Sequence, residues 1–128
     1  MNAIRRKVNI VIADDDRLTR SVLRLMLLEN ACAVIGEATD GAKAIELCLA
    51  LKPDIAFIDI DMPNRNGHEA AQQIRLDNPR TRVVMISAFA TFDNVQQALQ
   101  SGASGFVVKP FNAQKVIEAL DHCLKNNN

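Results

Sequence analysis

Apolar residues in this chain follow two alternating patterns. Residues 8–13, 33–37, 55–58, 83–87 and 105–108 form short runs, mostly rich in Val and Ile. Runs of that kind suit strands covered on both faces, as in a parallel sheet. Between them apolar residues recur at helical spacing. Leu18, Val22 and Leu25 make one stripe, and Ile45, Cys48 and Leu51 a second. Ala70, Ala71 and Ile74 make a third, Val95, Ala98 and Leu99 a fourth, and Val116, Ile117, Leu120 and Leu124 a fifth. Each stripe is expected to face the core. The punctuation agrees: Asp16, Thr91 and Asn112 are placed as helix N-caps, and Pro53 and Pro79 precede the third and fourth strands. Gly102 and Gly105 bracket the turn into the fifth strand.

Five strand-then-helix units predict an α/β fold: a doubly wound, five-stranded parallel sheet with right-handed crossovers and helices on both faces. Pattern alone leaves the strand order open. The order 2-1-3-4-5 sets the first and third strands side by side at the switch point, where ligands bind beyond the carboxyl ends of the strands. Repeats, low-complexity tracts and Pro/Ser linkers are absent, so residues 1–128 read as one domain. The tail at 126–128 reads as a fraying end.

Composition narrows the function classes. Fifteen basic residues balance fifteen acidic ones, which gives no broad field for nucleic acid or an anionic membrane. Trp and Tyr are absent, which removes the usual base-stacking platform. Arg5-Arg6-Lys7 before an apolar run looks like a signal-peptide start. That run is too short, is broken by Asn9, and is closed by Asp14-Asp15-Asp16. No run approaches the ~20 residues needed to span a bilayer. Cys32, Cys48 and Cys123 are odd in number and lack metal-ligand spacing. They read as reduced core residues of a cytoplasmic protein.

The chemistry gathers at the ends of the strand runs. Asp14 and Asp15 directly follow a buried strand, where adjacent negative charges call for a counter-ion, and Mg²⁺ accepts one or two carboxylates with water. Asp59 ends the third run and is followed by Asp61, Pro63 and Gly67. A strand-end carboxylate beside a cation can attack a phosphoryl group and form an acyl phosphate. Pro63 and Gly67 are expected to stiffen and turn the loop so that carbonyls face the ion. Ser87 and Lys109 end the fourth and fifth runs, and a hydroxyl and an ammonium there suit phosphoryl oxygens. His68 and His122 are assigned to helix surfaces.

Four stretches carry a resemblance: Val11-Ile12-Ala13-Asp14-Asp15, the run from Pro53 through Asp59 and Asp61 to Pro63, Val84-Met85-Ile86-Ser87-Ala88, and the run from Gly102 through Lys109 to Phe111. In this order and spacing the chain resembles the response-regulator receiver (CheY-like) family of two-component signalling, over about residues 8–124. The resemblance implies the 2-1-3-4-5 order and a phosphoacceptor role for Asp59, supplied by a sensor histidine kinase or a histidine phosphotransfer protein. It implies Mg²⁺ on Asp14, Asp15 and Asp59, with Asp61 contributing its main-chain carbonyl. Ser87 and Lys109 would hold phosphoryl oxygens, and Ser87 and Phe106 would switch. The responding surface would comprise the fourth helix, fifth strand and fifth helix (residues 91–100, Phe106 and 112–124) and would bind a downstream effector protein. No direct nucleic-acid or membrane contact is implied.

Such a protein is expected to be a switch and not an enzyme, catalysing only its own modification and its own dephosphorylation. The expectation from the termini is a stand-alone regulator acting by protein contact, with a receiver excised from a longer chain as the other option. Two further readings stay open. Asp59-Ile60-Asp61 mimics the nucleophile motif of haloacid-dehalogenase-like phosphatases, although there it normally follows the first strand. The other reading is a pseudo-receiver that binds partners without phosphate chemistry.

Overall fold

Ten elements alternate without exception through residues 7–125, the part of the chain that the computed structural model describes. They are β1 (Val8–Ala13), α1 (Arg17–Leu28), β2 (Cys32–Ala38), α2 (Gly41–Leu51), β3 (Ile55–Asp59), α3 (Gly67–Asp77), β4 (Arg82–Ser87), α4 (Phe92–Gln100), β5 (Gly105–Val108) and α5 (Ala113–Lys125). Arg5, Arg6 and the 126–128 tail lie outside the described residues. The five strands are all parallel, in the order β2-β1-β3-β4-β5. The expected fold class and strand order are therefore those observed.

Strand alternation divides the core in two. Val11, Ala13, Ala56, Ile58, Val83 and Met85 point toward α2, α3 and α4, where they meet Ala44, Cys48, Ala70, Ala71, Ile74 and Ala98. Ile10, Ile12, Ile55, Phe57, Val84 and Ile86 point the other way, onto Leu23 and Leu27 of α1 and Val116, Leu120 and Cys123 of α5. Side chains on both faces of β3 are thus buried, which explains its unbroken apolar run. All three cysteines are buried and none is in a disulfide, and burial pushes the thiols of Cys48 up to about 12 and Cys123 up to about 11. They behave as small apolar side chains.

The helix starts are capped as expected. Asp16, Thr91 and Asn112 each accept a backbone N–H three residues on. Two further caps were not foreseen: Asp40 on α2, and Asn66 with Glu69 as a capping box on α3.

The α1 stripe is a correction. Leu18 is 71% exposed, Leu25 63% and Val22 38%, while Leu23 and Leu27 fill the core. Leu27 stands nine residues beyond Leu18, half a turn round the helix. Helical period fits both stripes of this leucine-rich helix, and packing against α5 and the sheet selects the second. Leu51 and Leu99 are likewise exposed, whereas Ala98, Ala70, Ala71 and Ile74 are buried as expected.

Candidate functional site

Strand order and register bring the separated acids together. Ala13 pairs with Ile58, so Asp14 and Asp59 leave adjacent strands side by side. Asp59 pairs with Ile86, and the N–H of Lys109 donates to the carbonyl of Ser87 at 2.8 Å. Carboxylate oxygens of Asp14, Asp15 and Asp59 lie within 4.8 Å of one another. Asp14 and Asp59 are buried, and Asp15 faces solvent at the mouth. Lys109 places Nζ 2.9 Å from Asp14 Oδ2 and 3.3 Å from Asp59 Oδ2.

The charges do not balance. Three carboxylates face one ammonium. Burial, together with the nearby Asp14 charge, pushes Asp59 up to about 6 against the pull of Lys109. Burial alone would lower the Lys109 pKa, but its two carboxylate partners outweigh this and raise it. Asp14 Oδ2 is shielded from water and, although close to Lys109, lacks a well-directed hydrogen bond. An under-satisfied buried carboxylate oxygen in an over-negative, all-oxygen cluster fits a hard divalent cation such as Mg²⁺.

The loop after β3 is held by backbone packing. The N–H of Asp61 donates to Asp59 Oδ1 at 3.3 Å, while its own carboxylate is exposed. Asn64 and Arg65 carry the loop's positive φ angles, 61° and 135°. Asn64 donates to Asp40 Oδ2 at 3.0 Å, and the N–H of Gly41 donates to the Pro63 carbonyl at 3.3 Å. A Cβ on Gly41 would stand 1.9 Å from the Arg65 carbonyl oxygen. Gly67 departs from its expected role as a turn former. It opens α3, and a Cβ there would stand 2.4 Å from the Asp59 carbonyl oxygen, so it is needed for close approach.

Ser87 is buried at the end of β4, with Oγ accepting from the Phe89 N–H at 3.0 Å. Its hydroxyl therefore engages the loop beyond β4 and not the acids. Phe106 is half-buried against the α2–α4 side of the core. The Lys109–Pro110 peptide, whose isomer the sequence left open, is cis.

The sequence model of the response regulator receiver domain matches residues 10–121. This chain belongs to the receiver family of two-component signalling. It is 41% identical over 120 residues to the transcriptional regulatory protein NarL of Mycobacterium tuberculosis, a match covering 93% of this chain and 56% of that protein. The receiver thus spans about half the length of that curated relative. It is 37% identical over 116 residues to the chemotaxis protein CheY of Thermotoga maritima, covering 91% of this chain and 97% of that one. Among solved structures it is similar to the signal receiver domain of M. tuberculosis NarL, at 40% identity and a TM-score of 0.87, covering 95% of this chain and 99% of that one.

Receivers bind Mg²⁺ at an acidic pocket, and here Asp14, Asp15 and Asp59 form such a pocket with Lys109. Ser87 lines the same edge with its hydroxyl turned away, and Asp61 reaches the Asp59 carboxylate through its backbone N–H. His122 is exposed, as assigned from sequence. His68, also assigned to a helix surface, is half-buried on α3. Both ring nitrogens are shielded from solvent, and burial holds its pKa below the ordinary value against nearby Asn94 and Asp61. The latch of Asp40 and Gly41 on the β3–α3 loop escaped the sequence reading. Asp-Gly at a helix start was its one visible signal, and the loop it meets lies more than twenty residues away. Among the described residues, no helix is long and apolar enough to cross a membrane.

Proposed function

We propose that this receiver takes a phosphoryl group onto Asp59 from a phosphohistidine on a sensor kinase or phosphotransfer protein and answers with a change of surface. The observation that carries the proposal is the Asp59 carboxylate, buried among Asp14, Asp15 and Lys109 with its pKa pushed up to about 6. At neutral pH it is ionised and nucleophilic. Attack of an Asp59 oxygen on phosphorus forms a P–O bond as the P–N bond to the donor imidazole breaks, and the imidazole takes up a proton. Asp14, Asp15 and Asp59, with the Asp61 carbonyl, would hold Mg²⁺. When bound, the cation neutralises charge on the attacking and transferred oxygens. Lys109 stands ready to pair with a phosphoryl oxygen.

The response begins at Ser87. Its hydroxyl is occupied by the Phe89 backbone, and charged phosphoryl oxygens offer a stronger acceptor. Moving Ser87 toward them releases the loop leading into α4, and Phe106 can then repack. These contacts exist only in the modified state, which is the differential interaction that a population shift requires. The effector surface on this reading is α4, β5 and α5. On this reading the donor docks over the exposed Leu18, Val22 and Leu25 stripe of α1, of which Leu18 and Val22 also line an apolar groove of about 360 Å³ that includes Lys109. The receiver is on this reading a switch with no turnover beyond forming and hydrolysing its own acyl phosphate.

Intact mass after incubation with acetyl phosphate and Mg²⁺ tests the chemistry. One phosphoryl unit is expected on the parent chain and none on Asp59→Asn. An unmodified parent, or an Asp59→Asn variant modified equally, would overturn the proposal. Sustained hydrolysis of para-nitrophenyl phosphate would favour the phosphatase reading instead.

A further inference from the structure

Arg20 of α1 reaches back to the acidic pocket without entering it. Its Nη1 donates to the Asp14 carbonyl oxygen at 2.8 Å, and its Nε donates to Glu37 Oε1 at 3.0 Å. Glu37, near the end of β2, is gripped from the other side by Arg24 Nη1 at 2.8 Å. The Arg20 side chain is only 15% exposed, so its geometry is restrained by packing as well as by these bonds. The chain of contacts joins α1, β2 and the end of β1 at the point where the two acids emerge.

The Asp14 carbonyl and the Asp15 N–H belong to one rigid peptide plane. A donor fixed on that oxygen therefore sets the orientation of the link between the two carboxylates. The other anchors act on either side of this plane: the Asp14 N–H donates to the Ala38 carbonyl at 3.0 Å, and the Asp16 N–H donates to Asp14 Oδ1 at 2.8 Å. Asp15 is the exposed member of the acidic set and lacks the packing that holds Asp14. Its placement depends most on the peptide that Arg20 holds.

We propose that Arg20 is a positioning residue for the divalent-cation site, fixing the spacing of the Asp14 and Asp15 carboxylates through the Asp14 carbonyl, with Glu37 and Arg24 holding Arg20 in turn. This rests on the cation reading given above. Charge and position make opposite predictions here. A guanidinium near an acidic pocket repels a cation, so its removal would tighten binding if charge were its whole effect. If Arg20 acts by position, its removal loosens binding. Partners one bond removed from a metal's ligands typically matter about 10–100-fold in affinity.

The test is calorimetric titration of the full chain with Mg²⁺, since the absence of Trp and Tyr removes the usual fluorescence signal. Melting temperature in metal-free buffer is measured alongside. Arg20→Ala is expected to weaken Mg²⁺ binding about tenfold and Glu37→Gln severalfold. Arg20→Lys should recover part of the loss, since an ammonium can donate to the Asp14 carbonyl but cannot also bridge to Glu37 in the same way. Parent-like or tighter affinity in Arg20→Ala, with or without a lower melting temperature, would overturn the inference. Should Arg20→Ala fail to fold, Glu37→Gln decides: weaker binding supports the proposal and unchanged binding ends it. A parent chain that does not bind Mg²⁺ at all overturns the cation reading itself, an outcome distinct from the others.

Discussion

Lys109 Nζ lies 2.9 Å from Asp14 Oδ2, a carboxylate with no exposed surface, although 95 residues separate the two in the chain. The contact passes over the two intervening strands, β4 and β3, from the end of β5 to the end of β1. It supplies a positive charge inside a cluster that is otherwise all acid. Lys109→Met removes that charge and leaves Asp14 and Asp59 repelling each other in a buried setting. Breaking a buried pair from one side costs about 3–5 kcal/mol, and less for an ammonium that keeps some solvent contact, so a loss of about 2 kcal/mol is expected. Urea denaturation at pH 7 measures it, and Mg²⁺ should restore most of the loss. A variant as stable as the parent in metal-free buffer would contradict the geometry.

Asp59 makes stability depend on pH. Its carboxyl is raised to about 6 by burial and by Asp14, above the ordinary value of 3.8. The folded state therefore holds this proton more tightly than the unfolded chain. The stabilisation is fully present below about pH 4 and is lost as pH rises through about 6. The displacement corresponds to about 3 kcal/mol at most. Asp59→Asn should melt higher than the parent at pH 7 in metal-free buffer, with the gap closing toward pH 4. Melting curves across that range check this, and a gap that widens on acidification would refute it.

Gly41 lets the β3–α3 loop sit against the start of α2. A methyl group there meets the Arg65 carbonyl oxygen at 1.9 Å, so the loop must shift. Gly41→Ala is expected to cost about 1–3 kcal/mol, as overpacking does, and to slow phosphorylation by acetyl phosphate. Denaturation and intact-mass time courses would reveal both effects, and a variant matching the parent in each would remove the latch from the account.

The exposed stripe on α1 separates two kinds of phosphorylation. Leu18→Asp and Leu25→Asp change residues that are 71% and 63% exposed, so stability should stay within about 0.5 kcal/mol. Reaction with acetyl phosphate should be unaffected, while transfer from a phosphohistidine protein should fall about tenfold or more. That loss would arise from an apolar contact given a buried charge. Equal transfer rates in parent and variants would place the donor elsewhere.

Phe89 follows Ser87 by two positions and is 62% exposed at the rim of the site. Its side chain offers no hydrogen bond to a hydrolytic water and, on the proposed function, would obstruct the approach of one. Phe89→Glu should shorten the lifetime of the acyl phosphate, read as faster decay of the phosphorylated mass. Equal or slower decay would dismiss the idea.

Legibility varied with the kind of signal. Buried strands of a parallel sheet are apolar on both faces, so β3 and β4 stood out as apolar runs ending at Asp59 and Ser87, and β1 as a run interrupted only by Asn9 and followed by Asp14. Caps at Asp16, Thr91 and Asn112 were legible because a side chain and a backbone three residues on act alone. The α1 stripe was not. A helix with two leucine faces satisfies the helical period twice, and only the sheet and α5 decide between them. The His68 nitrogens, the Gly41 contact and the Arg20 bond to Asp14 were hidden for a related reason: each depends on a partner from another element.

What the chain's order of residues determined alone was the alternation of strand and helix and the polar residue waiting at the end of each central strand. Tertiary structure decided which face of each helix turned inward, which way Ser87 pointed its hydroxyl, how closely three acids approached one another, and how closely two of them approached one lysine. Local pattern records burial summed over all neighbours. Direction and distance arise only when particular neighbours are in place.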